Sequence, residues 1–188
     1  MRLLLTLAVV AAGCPSAASA AAQRHHRPRC PGATRPATAH NLKAMRAAIL
    51  CLVNQQRRKR GLPALVEDRR LDHSAQRWTA HMVAHDEFSH GSNFASRLTA
   101  AGFDWSAAGE NIATGYPTPA AVVGGWMASP GHCRNILAPD FSAIGIGVVA
   151  APVAGYASGP ATWTQDFGLP NGRPAPSSNE RPADGCPY

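Results

Sequence analysis

The stretch on which this chain's reading turns is GWMASPGHCRNIL, Gly125 to Leu137. It sets a histidine and a cysteine side by side, directly behind a proline and a glycine. Proline is favoured in the first turn of a helix, where its missing N–H would be unpaired anyway, and serine is a favoured N-cap. Ser129-Pro130 therefore predicts a helix start with His132 in its first turn. The Ser129 hydroxyl is expected to be spent on backbone N–H groups, which argues against a nucleophilic role. A rigid, polar helix start suits a functional imidazole and an idle one equally, so the meaning of His132 depends on its partners.

Upstream, Thr118-Pro119 opens a helix whose buried face is Val122, Val123, Trp126 and Met127, closed by Pro130. Leu42, Met45, Ile49, Leu52 and Val53 recur at three and four residues and predict a first helix, stopped by Gly61 and Pro63. Leu71, Ala75, Trp78 and Met82 repeat the pattern in a second helix introduced by Glu67-Asp68. Phe94 to Ala101 predicts a short helix ended by Gly102. Downstream, AIGIGVVAA (Ala143 to Ala151) and TWTQDFG (Thr162 to Gly168) read as strands joined by a Gly/Pro/Ser-rich hairpin loop. Helices first and strands last predict an α+β domain with a small antiparallel sheet covered by helices. Trp126, Trp163 and Phe167 are expected in its core, with Gln165 and Asp166 near a strand end at the rim.

The termini read differently. Arg2 followed by the apolar run Leu3 to Ala12 is too short to span a bilayer and reads as the core of a signal peptide over residues 1–20. Ala18-Ser19-Ala20 offers an ordinary cleavage site, favoured over the imperfect lipoprotein box at Ala11-Ala12-Gly13-Cys14. Residues 21–39 form a Pro/Arg-rich leader, 40–168 the folded domain and 169–188 a Pro-rich tail. Removal of Cys14 leaves Cys30, Cys51, Cys133 and Cys186, an even number suited to an oxidising compartment. Of the three pairings, Cys30 with Cys51 and Cys133 with Cys186 is favoured, since each bond would pin a proline-rich end to the core. The competing reading is four free thiols.

The net charge of +7 favours anionic partners. Its distribution weakens that inference, because Arg24, Arg27, Arg29 and Arg35 sit in the leader, while Arg57, Arg58, Lys59 and Arg60 end a helix and read as a solvated basic face. No aromatic residues interleave with these clusters and no nucleic-acid motif occurs, so nucleic acid is not an expected partner. Anionic cell-wall polymer is the more specific alternative to plain solvation.

His81 and His85 have the spacing of a zinc-protease helix, but the required glutamate is replaced by Met82, so that motif fails. There is no nucleophile elbow, phosphate-cradling glycine loop or Cys-x-x-Cys pair. Three stretches remain: FSHGSN around His90, AAGENIATG around Glu110, and SPGHCRNIL around His132, each assigned by periodicity to a helix end or loop.

In this order, and together with CLVNQQRRKRGLPAL (Cys51 to Leu65), LDHSAQRWTAHM, IGIGV and WTQDFG, these stretches resemble the CAP superfamily of cysteine-rich secretory proteins, antigen 5 and plant pathogenesis-related proteins, in its bacterial secreted SCP-like branch. The resemblance covers about Leu42 to Gly168. It implies a three-layer αβα sandwich with a central cleft holding His90, Glu110 and His132, and Cys133 turned away towards a disulfide. A second acidic residue found in many relatives falls here on Ser129. The resemblance further implies a candidate metal set of His90, Glu110 and His132 for Zn²⁺ or another divalent cation. The expected function is a secreted or envelope-associated binding module, monomeric and non-enzymatic, for an unidentified ligand such as a cell-wall polymer or lipid. A metal-dependent hydrolase using the same cleft and a lipid- or sterol-binding protein are the alternatives.

Overall fold

The computed structural model describes residues 30–175 and Cys186; the expected signal peptide, most of the leader and most of the tail lie outside them. The described elements follow in the order α1 (Leu42–Arg58), β1 (Val66–Glu67), α2 (Arg69–Ala84), α3 (Phe94–Ala100), β2 (Trp105–Thr114), α4 (Pro119–Met127), α5 (Pro130–Leu137), β3 (Ala143–Val149) and β4 (Thr162–Pro170). The helix boundaries have local causes. Asp68 caps α2 by accepting from Arg70 N–H, Asn93 caps α3 from Ser96 N–H, and Thr118 caps α4 from Ala121 N–H with Pro119 in the first turn. Gly61 follows α1 at φ +70°, in the left-handed region that stops a helix.

The strands form one mixed sheet in the order β1-β3-β4-β2. The expected β3–β4 hairpin is antiparallel, with Ile146 opposite Gln165. Two features differ from expectation. The two-residue β1 adds a parallel pair to β3, and β2, which periodicity assigned to a helix end or loop, is a ten-residue strand antiparallel to β4. Its residues 109–113 are all buried. A strand covered on both faces loses the in–out alternation by which strands are recognised.

The sheet is the middle layer of three. Ile144, Ile146 and Val148 of β3 and Trp163 and Phe167 of β4 face α1, α4 and α5, where they join Met45, Ile49, Trp126 and Ile136 in the main core. The alternate residues face α2. Gly145 and Gly147 let that helix lie directly on the strand: a Cβ at either position would come within 2.0 Å of Leu71 C or 2.3 Å of Ala75 O. The IGIGV pattern thus records a close helix–strand approach.

Two disulfides pin the ends, Cys30–Cys51 and Cys133–Cys186, as expected. Residues 30–39, assigned to the leader, are held against α4 by Ala37 N–H to Pro117 O and Ala120 N–H to Ala33 O. The basic cluster also needs correction at one position. Arg57 is fully buried, donating to the carbonyls of Pro63, Ile136, Ala138 and Phe141. Burial, with no carboxylate beside it, lowers its pKa to about 10.

Candidate functional site

β2 is an edge strand, and elements of both helical layers meet over it. Glu110 lies at its centre, opposite Asp166 of β4 and therefore on the α2 face of the sheet. Gly91 follows His90 at φ +66°, reversing the chain so that the segment after α2 comes back towards β2. There His90 Nδ1 lies 2.8 Å from Glu110 Oε1. Arg97 of α3 pairs with Glu110 Oε2 and donates to the His90 carbonyl at 2.9 Å. The Arg97 guanidinium sits 3.9 Å from the centre of the Trp78 ring.

His132 approaches from the other layer. Asn111 Nδ2 donates to the His132 carbonyl at 3.2 Å and to Gln165 Oε1 at 3.0 Å. Asn135 Nδ2 donates to Glu110 O and Asn111 Oδ1, stitching α5 to β2. Burial, and secondarily the charge of His90, lower the His132 pKa, so its imidazole is neutral at pH 7. The structure therefore brings all three sequence-derived residues together around one edge strand. His132 also lines a concavity of about 370 Å³ walled by Phe88, Ile112, Tyr116, Trp126 and Tyr156.

The roles differ from a three-ligand set. The Glu110 side chain is 1 % exposed, with one oxygen held by Arg97 and the other by His90. Among the described residues no three His, Cys, Asp or Glu side chains are grouped so as to hold a metal ion. A site for Zn²⁺ or a similar cation built from His90, Glu110 and His132 does not fit this geometry. Glu110 instead orients His90: a carboxylate only accepts, so Nδ1 carries the proton and Nε2 is turned to the other side of the ring.

Ser129 also departs from expectation. It occupies the N-cap of α5 but makes no capping bond, and its Oγ lies 2.9 Å from His132 Nδ1. Both imidazoles are thus anchored through Nδ1.

Sequence reasoning missed Arg97 and misplaced Asp166. Asp166 lies inside β4, not at a rim, with 0 % exposure and its carboxyl facing Ser74 and Glu110. Burial first, then the neighbouring Glu110 charge, raises its pKa well above the carboxylate range. Gln165 is also fully buried. Arg97 carries a sequence signal of a kind, as a lone basic residue in a short helix following a histidine loop, but nothing in the pattern ties it to Glu110.

A family model described as cysteine-rich secretory protein family matches residues 50–167. The chain belongs to the CAP family. YkwD of Bacillus subtilis is 36 % identical over 132 residues, covering 68 % of this chain and 48 % of the relative. The Bacillus subtilis membrane protein YlbC is 36 % identical over 104 residues, covering 53 % of this chain and 30 % of the relative. The chain thus spans half or less of the length of these curated relatives. Among solved structures, an extracellular SCP-domain protein of Bacillus anthracis superposes with a TM-score of 0.59 at 28 % identity, over 71 % of this chain and 44 % of that one. An outer surface protein of Borrelia burgdorferi gives 0.57 at 18 % identity, over 65 % of this chain and 90 % of that one, and shares the fold alone. These CAP neighbours are extracellular or surface proteins, and no helix among the described residues is long and apolar enough to cross a membrane.

Proposed function

We propose that this CAP domain is an exported, non-enzymatic binding module of the bacterial exterior, with the concavity beside His132 as its ligand surface. The observation that carries the reading is the commitment of Glu110. A hydrolase needs a group to take a proton from water or from a nucleophile. Here Glu110 is paired twice and buried, and Asp166 lies deeper still. Ser129 and His132 form a hydrogen-bonded pair with no carboxylate on the imidazole, while His90, which Glu110 does orient, has no hydroxyl or thiol nucleophile hydrogen-bonded to its ring among the described residues.

The concavity supports a ligand with apolar faces and polar edges. Tyr116 and Tyr156 are 36 % and 59 % exposed there, and Ser129 and His132 supply polar atoms beside them. A glycan of the cell envelope has that chemistry. Metal is not needed for such binding, and with two imidazoles in place of three protein ligands a divalent cation would be held weakly.

The test is co-sedimentation of the exported chain with purified cell-wall sacculi, alongside assays for release of soluble fragments. Expected are retention on the sacculi, weakening by about tenfold for Tyr156→Ala, no released fragments, and no change on adding a chelator. Fragment release that disappears in His132→Ala would overturn the reading, and so would loss of binding in chelator.

A further inference from the structure

The cleft over β2 has a counterpart on the other side of Arg97. A concavity of about 270 Å³ opens between α2 and α3, lined by His73, Ser74, Arg77, Trp78, His81 and Arg97 with two alanines. We infer that it is a binding site for a phosphate-type oxyanion, separate from the ligand surface proposed above.

Its walls carry the argument. His73, Arg77 and His81 stand four residues apart on α2 and so form one ridge along the helix. No carboxylate lines the concavity. Arg77 is exposed and takes part in none of the ion pairs among the described residues, whereas the neighbouring Arg70 is held by Asp68. The opposing charges beside it are Glu110, behind Arg97 and neutralised by it, and Glu87, 3.5 Å from His81 Nε2 with both side chains partly exposed at the rim. One donor of the lining, Arg97 Nε, is buried without a hydrogen-bond partner, whereas Ser74 Oγ faces the Asp166 carboxyl. A native fold rarely leaves such a donor orphaned, and a bound anion is one of the groups that satisfies it.

The aromatic wall is fixed as well. Trp78 donates from Nε1 to Ser89 O at 3.0 Å, stacks on His81 at 4.7 Å, and lies against Arg97. The concavity therefore does not need to be assembled from mobile side chains.

Phosphate fits this set better than carboxylate. A carboxylate is recognised most strongly by the two-pronged fork of a guanidinium. Arg97 has no fork to offer, since its terminal nitrogens are committed to Glu110 and the His90 carbonyl. The fork of the exposed Arg77 could grip one pair of oxygens, as it would in a carboxylate, but the Arg97 Nε–H and two imidazoles add donors from other directions that a carboxylate has no further oxygens to meet. A tetrahedral anion with several acceptor oxygens and more than one negative charge matches that arrangement.

The experiment titrates inorganic phosphate, and in a second arm linear polyphosphate, into the exported chain at constant ionic strength, following the Trp78 indole N–H by NMR. Saturable binding of inorganic phosphate identifies a free anion as sufficient; saturation by polyphosphate alone identifies a phosphate carried on a chain; either supports the site. Arg77→Gln should weaken binding about tenfold, the loss of one charge-assisted contact. Arg58→Gln removes an equal charge from an exposed position on α1 and should leave the affinity unchanged. Circular dichroism of each variant checks that it is folded. Failure of both probes to saturate, or equal weakening by Arg77→Gln and Arg58→Gln, would overturn the assignment. The sacculus assay with Tyr156→Ala reads a different surface, so the two proposals fail independently.

Discussion

Two arginines hold two corners of this molecule, and their surroundings are opposites. Arg57 sits between α1 and α5 and spends its donors on backbone carbonyls, at 2.8 Å to Pro63 and Ala138, 2.9 Å to Ile136 and 3.3 Å to Phe141. Arg97 sits at the cleft and spends its donors on a carboxylate and on the carbonyl of the residue that carries the imidazole. The first corner is joined by neutral dipoles and serves chain tracing, tying the end of α1 to the turn after α5. The second is joined by charge, and what it determines is the orientation of one ring. A buried cation among carbonyls secures the fold; a half-buried cation on a buried carboxylate fixes a site.

The largest effect that would sharpen this contrast comes from Arg57→Met. Carbonyls that lose their donor inside the fold remain desolvated, so we expect a loss on the order of 4 kcal/mol in denaturant unfolding. A loss below about 1 kcal/mol, the range of an ordinary surface change, would show that the corner is not structural.

Arg97→Met should cost about 3 kcal/mol, because it leaves the Glu110 charge buried without its cation. Adding Glu110→Gln to that variant should recover most of the loss, as both members of the pair are then neutral. Arg57→Met should not be rescued in this way. If Glu110→Gln fails to restore stability to Arg97→Met, the charge-based half of the comparison is broken.

Asp166→Asn probes the smallest effect. The folded-state pKa of Asp166 is raised by burial and then by Glu110, so between the unfolded value near 4 and that raised value the native protein keeps a proton the unfolded chain has released. Stability therefore falls as pH rises through this window, by up to about 1.4 kcal/mol per pH unit. The asparagine variant should lack that slope, matching the parent at low pH and exceeding it at neutral pH. Equal slopes in pH-dependent unfolding would show that Asp166 does not hold the extra proton.

Much of the fold was legible because its signals are local. The helix starts at Asp68, Thr118 and Ser129-Pro130, the stop at Gly61 and the β3–β4 hairpin each depend on a few neighbouring residues. Two-sided burial hid β2: in WSAAGENIAT residues 109–113 are covered on both faces, so polar Glu110 and Asn111 sit inside a strand with no alternation to mark it. The site was legible in its members and not in their roles. Histidine and glutamate beside Gly, Ser and Pro singled out His90, Glu110 and His132, but Arg97, which neutralises Glu110, comes from a different helix. Ser129 shows the same limit. Its place as an N-cap was readable, yet its hydroxyl turns to His132, three residues on, because the imidazole competes for the oxygen.

The amino-acid order by itself determined where helices begin and end, which cysteines were available to bond, and which three side chains were candidates for the cleft. These depend on backbone preferences and residue chemistry that act over a few positions. Only the tertiary structure decided that Glu110 is held by Arg97 and His90, that Asp166 is enclosed, and that one helix-end arginine is buried while its neighbour is exposed. Those outcomes depend on desolvation and pairing between segments far apart in the chain, and such energies exist only once the layers have closed on one another.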